Sequence, residues 1–402
     1  MSNPVALRSA RLSLAFSALG HLYSHLFAPI FFVVALTLEG EFGLTHGEVI
    51  ALIVVGNVLF GVVAPLAGWL GDRWSSTGMM ALFFVGTGGG MVMTGLASRP
   101  LEIALWLAVT GAFASIYHPV GIAWLVRNAA ARGKALGLNG VFGAIGPATA
   151  AVLAGTLTEV AGWRAAFVVP GALIVATGVV FGALLAGRRI VEITVDRHVD
   201  PPPSRGDTRR VVAVLAVSLL CTGLIYQATQ PALPKIFSER IGELTGDGVL
   251  GVSALVAVVY LFAGASQLVA GHLADRYPLK TVYFCCFVLQ VPLLVLAGSL
   301  GGGALMAVAM MMVAVNAGSL PAENSLVARY APSHRRGLVF GLKFVLAFGV
   351  GGLGVKMEGL LYDLTGGFAW LFVILGVIAA VGVTAAWLLP SERREVVPAA
   401  AE

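Results

Sequence analysis

The sequence is poor in charge and in cysteine. Charged residues make up only 11% of its 402 residues, and hydrophobic residues make up 58%. Soluble globular proteins carry roughly 25% charged residues, so this chain has too little charge to cover a soluble surface. The composition therefore excludes a large soluble enzyme and indicates an integral membrane protein. The three cysteines, Cys221, Cys285 and Cys286, lie in apolar runs, and we interpret them as packing residues.

Motifs for catalysis, nucleotide binding and metal binding are also missing. Without a P-loop, the chain is not expected to drive a pump by hydrolysing nucleotide, and the glycine run at 86–90 lies inside an apolar segment. No residue pattern predicts an enzyme, a cofactor or a metal site. The first apolar run is too long for a cleavable signal peptide. A receptor or scaffold is disfavoured, because no large soluble sensory domain accompanies the apolar runs.

Long apolar segments dominate the chain. A membrane helix needs about 20 mostly apolar residues. This rule predicts twelve spans, near residues 12–37, 46–70, 78–97, 102–127, 134–158, 165–187, 210–235, 249–270, 280–299, 302–328, 338–362 and 367–389. The stretch 188–209 is polar and contains three consecutive prolines, which is typical of a linker. We therefore predict an all-α integral membrane fold, with a six-helix bundle at 1–187, a cytoplasmic linker at 188–209 and a second six-helix bundle at 210–402.

Basic residues fall mainly on one side of the predicted membrane. Only Arg99, Arg164 and Arg240 lie in the loops of the other side. The positive-inside rule then places the basic loops, the linker and both termini in the cytoplasm of a bacterial inner membrane. This distribution explains the net charge of +5 without a nucleic-acid partner. The residues on the basic side are Arg8, Arg11, Arg73, Arg127, Arg132, Lys134, Arg188, Arg189, Arg197, Arg205, Arg209, Arg210, Arg276, Lys280, Arg329, Arg335, Arg336, Arg393 and Arg394.

The two halves of the chain repeat each other. G-W-L-G-D-R at 68–73 recurs as G-H-L-A-D-R at 271–276, and R-G-K-A-L-G-L at 132–138 recurs as R-G-L-V-F-G-L at 336–342. The offset is nearly constant along the chain. Such a repeat predicts two homologous bundles related by an axis along the membrane normal, with the substrate site near the midplane between them.

The repeated G-x-L-x-D-R loop resembles the signature loop of the major facilitator superfamily, and the resemblance covers essentially the whole chain. It implies that Asp72 and Asp275 favour one conformation by meeting a helix N-terminus or a nearby arginine; otherwise these loops only anchor the helix ends. W-S-S-T follows Arg73 where glycine and basic residues are usual, so the first copy departs from the pattern. The loop residues concerned are Gly68, Asp72, Arg73, Gly271, Asp275 and Arg276.

Two shorter motifs resemble the fosmidomycin-resistance type of drug exporter. These are H-L-Y-S-H at 21–25 in span 1 and Y-H-P at 117–119 in span 4. The resemblance implies export, but His25 stands where the exporter pattern has an aspartate, so one expected proton carrier is missing. Gly143, Gly146 and Pro147 of span 5 fit either tight helix packing or part of the glycine–proline motif of antiporters.

Polar side chains within the spans are the candidate substrate and proton pathway. Such groups are costly inside a membrane and tend to mark pathways, and histidine titrates near physiological pH. The alternative is structural: histidines bonded within the bundle, or a Glu323 that reaches the membrane interface. The candidates are His21, His25, Tyr117, His118, Tyr226, Thr229, Gln230, Asn316, Glu323 and Lys343.

Together these features predict a monomeric secondary transporter that works by alternating access. Its expected partners are a small-molecule substrate, protons and membrane lipid, and no cofactor is expected. Proton-coupled export is the first hypothesis. The alternative is uptake or exchange of an organic anion, which Lys235, Lys343 and Lys356 would favour by their charge.

Overall fold

The computed structural model describes residues 4–129, 132–190, 205–242, 248–330 and 336–390. Almost all of these residues lie in helices, and successive long helices cross the molecule in alternating directions. The helices are Pro4–Ser24, Phe27–Phe42, His46–Val62, Ala64–Arg73, Ser76–Leu96, Pro100–Ala114, Ile122–Asn128, Arg132–Ala161, Trp163–Ala186, Arg205–Arg240, Val249–Arg276, Leu279–Ala297, Gly302–Tyr330, Arg336–Phe344, Leu353–Thr365 and Ala369–Trp387, with π-helical segments at Tyr117–Gly121 and Val345–Val350.

The predicted spans are confirmed, and we number them 1 to 12 in chain order. Eleven segments are long and apolar enough to cross a membrane, and His46–Val62 with Ala64–Arg73 forms a twelfth, bent by 41°. We call spans 1–6 the N-terminal bundle and spans 7–12 the C-terminal bundle. The predicted linker falls mostly on 191–204, outside the described residues, and the domain boundaries stay a prediction.

Local sequence explains where several helices begin and end. Thr45 caps span 2, because its Oγ1 accepts the Glu48 N–H at 3.2 Å and the Glu48 carboxylate accepts the Thr45 N–H at 2.9 Å. Ser75 caps span 3 by accepting the Gly78 N–H at 2.9 Å. The helices that end at Phe42 and Thr365 are followed by Gly43 and Gly366, whose positive φ angles of 62° and 68° favour glycine.

Glycines allow the helices to pack closely. Added Cβ atoms at Gly56 and Gly111 would overlap backbone atoms across the contact of spans 2 and 4. Between the bundles, a Cβ added at Gly61 of span 2 would overlap the backbone of Gly349 on span 11. Small residues at helix interfaces are typical of membrane bundles, where close backbone approach replaces the hydrophobic effect.

Exposed tryptophans mark the two ends of the spans. Trp69 and Trp74 lie near the end of span 2, and Trp387 lies at the end of span 12. We call this the arginine-rich end, because it carries the loops at 68–73 and 271–276. Trp370 lies at the other end, at the start of span 12. Tryptophan at both ends of apolar helices is typical of the membrane–water interfaces.

Candidate functional site: a central cavity with three histidines

Four spans lose regular α-helical geometry in the middle of the molecule. Span 1 is interrupted at His25 and Leu26, and span 4 contains the π-helical segment Tyr117–Gly121. Proline explains both, since Pro29 has no N–H for the carbonyl of His25, and Pro119 lies within the π-helical segment. Span 2 bends just before Pro65, and span 11 carries the second π-helical segment. Irregular backbone at membrane depth is tolerated where it lines a cavity.

A cavity lies between the bundles at these interruptions. The space free of protein atoms there measures about 310 Å³, and this figure includes volume that is open to solvent. Its lining combines aromatic rings with hydroxyl, amide and imidazole groups and includes no charged side chain among the described residues. The lining residues are Ser24, His25, Phe27, Ala28, Pro29, Asn57 and Phe60 from the N-terminal bundle, and Tyr226, Gln227, Gln230 and Phe348 from the C-terminal bundle.

His21, His25 and His118 form a triangle beside the cavity, and we call them the histidine triad. Their ring centroids lie 5.2 to 5.3 Å apart, and their nitrogen atoms lie within 4.8 Å of one another. The spacing of His21 and His25 along span 1 predicts that they share a helix face. Only the tertiary fold adds His118, so the sequence-based expectation of no metal-ligand cluster missed this group.

The surroundings of the triad fix its geometry. His21 Nδ1 lies 2.8 Å from the backbone carbonyl oxygen of Asn139, and Tyr117 stacks on the His21 ring at 5.1 Å. Tyr117 is itself held by the Asn139 side chain, whose Nδ2 donates to the Tyr117 hydroxyl at 2.7 Å. Added Cβ atoms at Gly143 and Gly146 would overlap His21 and His25, so these two glycines of span 5 make room for the triad. Pro147 follows them inside an uninterrupted helix.

His118 contacts the C-terminal bundle. Its ring stacks on Phe344 of span 11 with centroids 4.9 Å apart. Its Nε2 atom is buried and has no hydrogen-bond partner. Burying a polar atom without a partner costs roughly 1–3 kcal/mol. The His118 Nε2 atom would therefore be stabilised by a bound ligand.

The C-terminal bundle places its candidates in different positions. Tyr226 and Gln230 line the cavity, and Gln230 Nε2 donates to the Tyr226 hydroxyl. Thr229 is not among the lining residues, and its hydroxyl donates to the carbonyl of Ile225 in its own helix at 2.8 Å. Gln227, which the sequence interpretation did not name, lines the cavity. Asn316 lines a separate small cavity within the C-terminal bundle, beside Gln290.

Glu323 and Lys343 form a buried ion pair. Glu323 Oε1 lies 2.8 Å from Lys343 Nζ, and the hydroxyl of Tyr283 donates to Glu323 Oε2 at 3.0 Å. Lys343 also donates to the Asn324 side chain. The two charges are therefore paired within the C-terminal bundle, and neither residue is among those that line the cavity.

The signature loops lie at the arginine-rich end. Asp72 lies 3.8 Å from Arg127, at the end of span 4 in the same bundle, and Gly68 lies where an added Cβ would come within 3.1 Å of Pro119. Arg73, Asp275 and Arg276 are exposed. Gly271 has open space where a Cβ would point.

A network of charged groups joins the bundles at the opposite end. We call it the inter-bundle network, and it consists of Glu39, His46, Lys235, Glu358 and Asp363. His46 lies between two carboxylates, with Nδ1 2.9 Å from Glu39 and Nε2 2.8 Å from Glu358. Lys235 binds Glu39 at 2.6 Å. The sequence interpretation missed this group, because its members pair across the two halves of the chain.

Asp363 completes the network by binding the start of span 2. Its carboxylate accepts the Thr45 hydroxyl at 2.7 Å and the Gly47 N–H at 3.0 Å. A carboxylate at a helix N-terminus is stabilised by the free N–H groups there. Polar contacts thus hold the bundles together at this end.

Comparison with known proteins agrees with the fold. The sequence model of the Major Facilitator Superfamily matches residues 17–250 and 215–402. A bacterial homolog of the human lysosomal transporter Spinster has the same fold. Its inward-facing unoccupied structure aligns with a TM-score of 0.69 at 12% identity, over 97% of this chain and 95% of that one. The inward-facing occupied structure gives a TM-score of 0.67 at 13% identity, over the same shares of the two chains.

A curated relative is the multidrug resistance protein B homolog of Mycobacterium tuberculosis. It is 27% identical over 154 residues, which is 38% of this chain and 28% of the relative's length. The chain belongs to the Major Facilitator Superfamily. Its family is one of membrane transporters, and its eleven or twelve candidate spans make it a multi-pass membrane protein.

Proposed function

We propose that the protein exports a small amphipathic compound by proton-coupled alternating access. The observation that carries the proposal is the central cavity, which combines aromatic and uncharged hydrogen-bonding groups at the interruptions of spans 1, 2 and 11. Such a lining suits a compound with apolar surface and a few polar atoms. Transport then requires the bundles to separate first at one end of the cavity and then at the other.

His25 is the candidate proton carrier. It lines the cavity directly, whereas Glu323 is neutralised by Lys343. Histidine exchanges protons near neutral pH, and the other two triad histidines lie within reach of it. In this proposal, His25 takes the role of proton carrier at the position where the exporter motif has an aspartate. The bacterial inner membrane and cytoplasmic termini are proposed with it, from the distribution of arginine.

Export is favoured by two resemblances. The histidine motifs of spans 1 and 4 resemble the fosmidomycin-resistance type of exporter, and the curated relative is named for multidrug resistance. Uptake or exchange of an organic anion has less support from the geometry. Lys235 and Lys343 are paired with carboxylates, and Lys356 is exposed on the outside of span 11.

The test is flux in proteoliposomes with an imposed pH gradient. Candidate compounds, ethidium and fosmidomycin among them, are first screened for those that raise the melting temperature of the purified protein. We expect flux to follow the gradient, and His25→Ala to slow or uncouple it. Thr229→Val, a control outside the cavity, retains coupled flux.

Two results would count against the proposal. Flux that ignores the gradient removes proton coupling, and normal coupled flux in His25→Ala removes the proposed carrier. Cells with and without the protein then separate the two directions: export gives resistance to the compound, whereas anion uptake gives accumulation of the labelled anion.

A further inference from the structure

We propose that His21, His25 and His118 form a binding site for one divalent transition-metal ion of the zinc class, with an open coordination position that faces the central cavity. The site goes beyond the transport function, since binding needs neither a gradient nor a direction. A metal ion and a proton compete for the same lone pair of His25, so metal binding at His25 and proton carriage by it alternate. The further statement that the transported compound supplies the fourth donor rests on the proposed function.

The triad has the spacing of an open metal site. One imidazole nitrogen from each of the three histidines lies within 4.8 Å of the other two. Zinc–nitrogen bonds of about 2.0–2.1 Å in a tetrahedron place the nitrogens roughly 3.3 Å apart, so metal binding would draw the rings inward from separations of up to 4.8 Å. Three protein ligands with a free fourth position are typical of zinc sites that receive water or substrate.

The hydrogen bonds leave the required lone pairs free. A carbonyl oxygen only accepts, so the contact with Asn139 places a proton on His21 Nδ1 and leaves Nε2 as the donor to a metal. This is the usual second contact of a metal-binding histidine. His118 Nε2 is buried without a partner, which a metal ion would correct. His25 lines the cavity and so brings the open position to it.

The donor set selects the class of metal. Imidazole suits zinc, copper and nickel, whereas magnesium and calcium require oxygen ligands. The triad contains no carboxylate. The positive charge of a divalent metal ion bound there would have no counter-charge from the three histidines. An anionic donor from the transported compound would therefore stabilise the ion at the fourth position.

The experiment measures metal binding by purified protein from which any polyhistidine tag has been removed. Zn²⁺ binding is followed by equilibrium dialysis, and Co²⁺ serves as a spectroscopic probe of tetrahedral coordination. We expect one Zn²⁺ per chain and visible Co²⁺ absorption. Acetohydroxamate, a small anionic oxygen donor, should shift the Co²⁺ spectrum if the fourth position is open.

Single variants identify the ligands. His21→Gln, His25→Gln and His118→Gln should each weaken binding by about tenfold or more. His272→Gln, at an exposed position near the end of span 8, is the matched control and should bind as the unaltered protein does. Melting temperatures without metal show that each variant is folded, and a triad variant that does not fold is replaced by the corresponding Asn variant.

Two results would overturn the site: no saturable Zn²⁺ binding by the folded protein, or unchanged binding in all folded triad variants. An unshifted Co²⁺ spectrum would remove the open position. Gradient-driven flux without metal binding would contradict the proposed metal site and would leave the proposal of proton-coupled transport intact. Metal binding without such flux supports the site and counts against proton coupling.

Discussion

The buried charges of Glu323 and Lys343 lie in contact with each other. Glu323 and Lys343 are both almost fully buried, and each is the counter-charge of the other. Removing one member of such a pair is expected to cost about 3–5 kcal/mol, because the remaining charge stays buried alone. Replacing both members with groups of similar size is often close to neutral.

The first prediction follows from this pair. Glu323→Gln and Lys343→Met should each lower the melting temperature of the purified protein by several degrees, and the double variant should recover most of the loss. A double-mutant cycle of the four proteins measures the coupling. Additive losses in the double variant would show that the pair does not hold Glu323 in place. Lys356→Met, at an exposed position on span 11, controls for the loss of a lysine.

Sequence reasoning predicted some of the neighbours in the candidate site and not others. His21 and His25 were predicted to share a face because they lie four residues apart on one helix. His118 joins them only through the packing of span 4 on span 1, which no local pattern encodes. Thr229 was predicted for the pathway on the same helical spacing, but its hydroxyl bonds to its own helix and Gln227 lines the cavity instead.

Whole helices were easier to predict than their interruptions. Twelve spans follow from hydropathy, because the membrane demands long apolar segments with satisfied backbone. Proline alone did not locate the breaks. Span 5 continues as one helix through Pro147, whereas span 1 breaks four residues before Pro29. In membrane helices neighbouring groups can satisfy the carbonyls that proline frees, so the local sequence does not decide whether a helix breaks.

The second prediction concerns a contact between two helices. Gly111→Ala should destabilise the protein by about 1–3 kcal/mol, because the added Cβ would overlap the backbone carbonyl of Gly56 on span 2. Gly89→Ala, in span 3 with open space at the same position, should be neutral or slightly stabilising. Thermal unfolding in one detergent compares the two. Equal melting temperatures would show that spans 2 and 4 can separate without cost.

At the scale of the whole molecule, the inter-bundle network holds one end closed. His46 contacts the Glu358 carboxylate of the other bundle at 2.8 Å, and Lys235 contacts Glu39. Hydrogen bonds to charged groups contribute roughly 1.5–3 kcal/mol each. Losing one such contact should therefore shift the balance between closed and open arrangements by about tenfold or more, since 1.4 kcal/mol is a factor of ten.

The third prediction tests this closure. Glu358→Gln should increase the population with the network end open. Spin labels on cysteines at Gly40 and Leu364, in a background without Cys221, Cys285 and Cys286, report the distance between bundles by pulsed electron paramagnetic resonance. We expect a larger share of long distances in the variant. Arg164→Gln removes an exposed pair with Glu41 inside one bundle and should leave the distribution unchanged. Identical distributions in Glu358→Gln and the parent would contradict the closure.

The tryptophans at the two ends of span 12 have a consequence for the lipid that surrounds the protein. Trp370 and Trp387 lie on one helix, and a rise of 1.5 Å per residue separates them by about 26 Å. An average hydrocarbon layer is about 30 Å thick. Span 12 is therefore slightly short for such a layer, and the bilayer beside this helix is expected to be locally thinner. The acyl-chain length of the lipid used for reconstitution is therefore expected to change the transport rate.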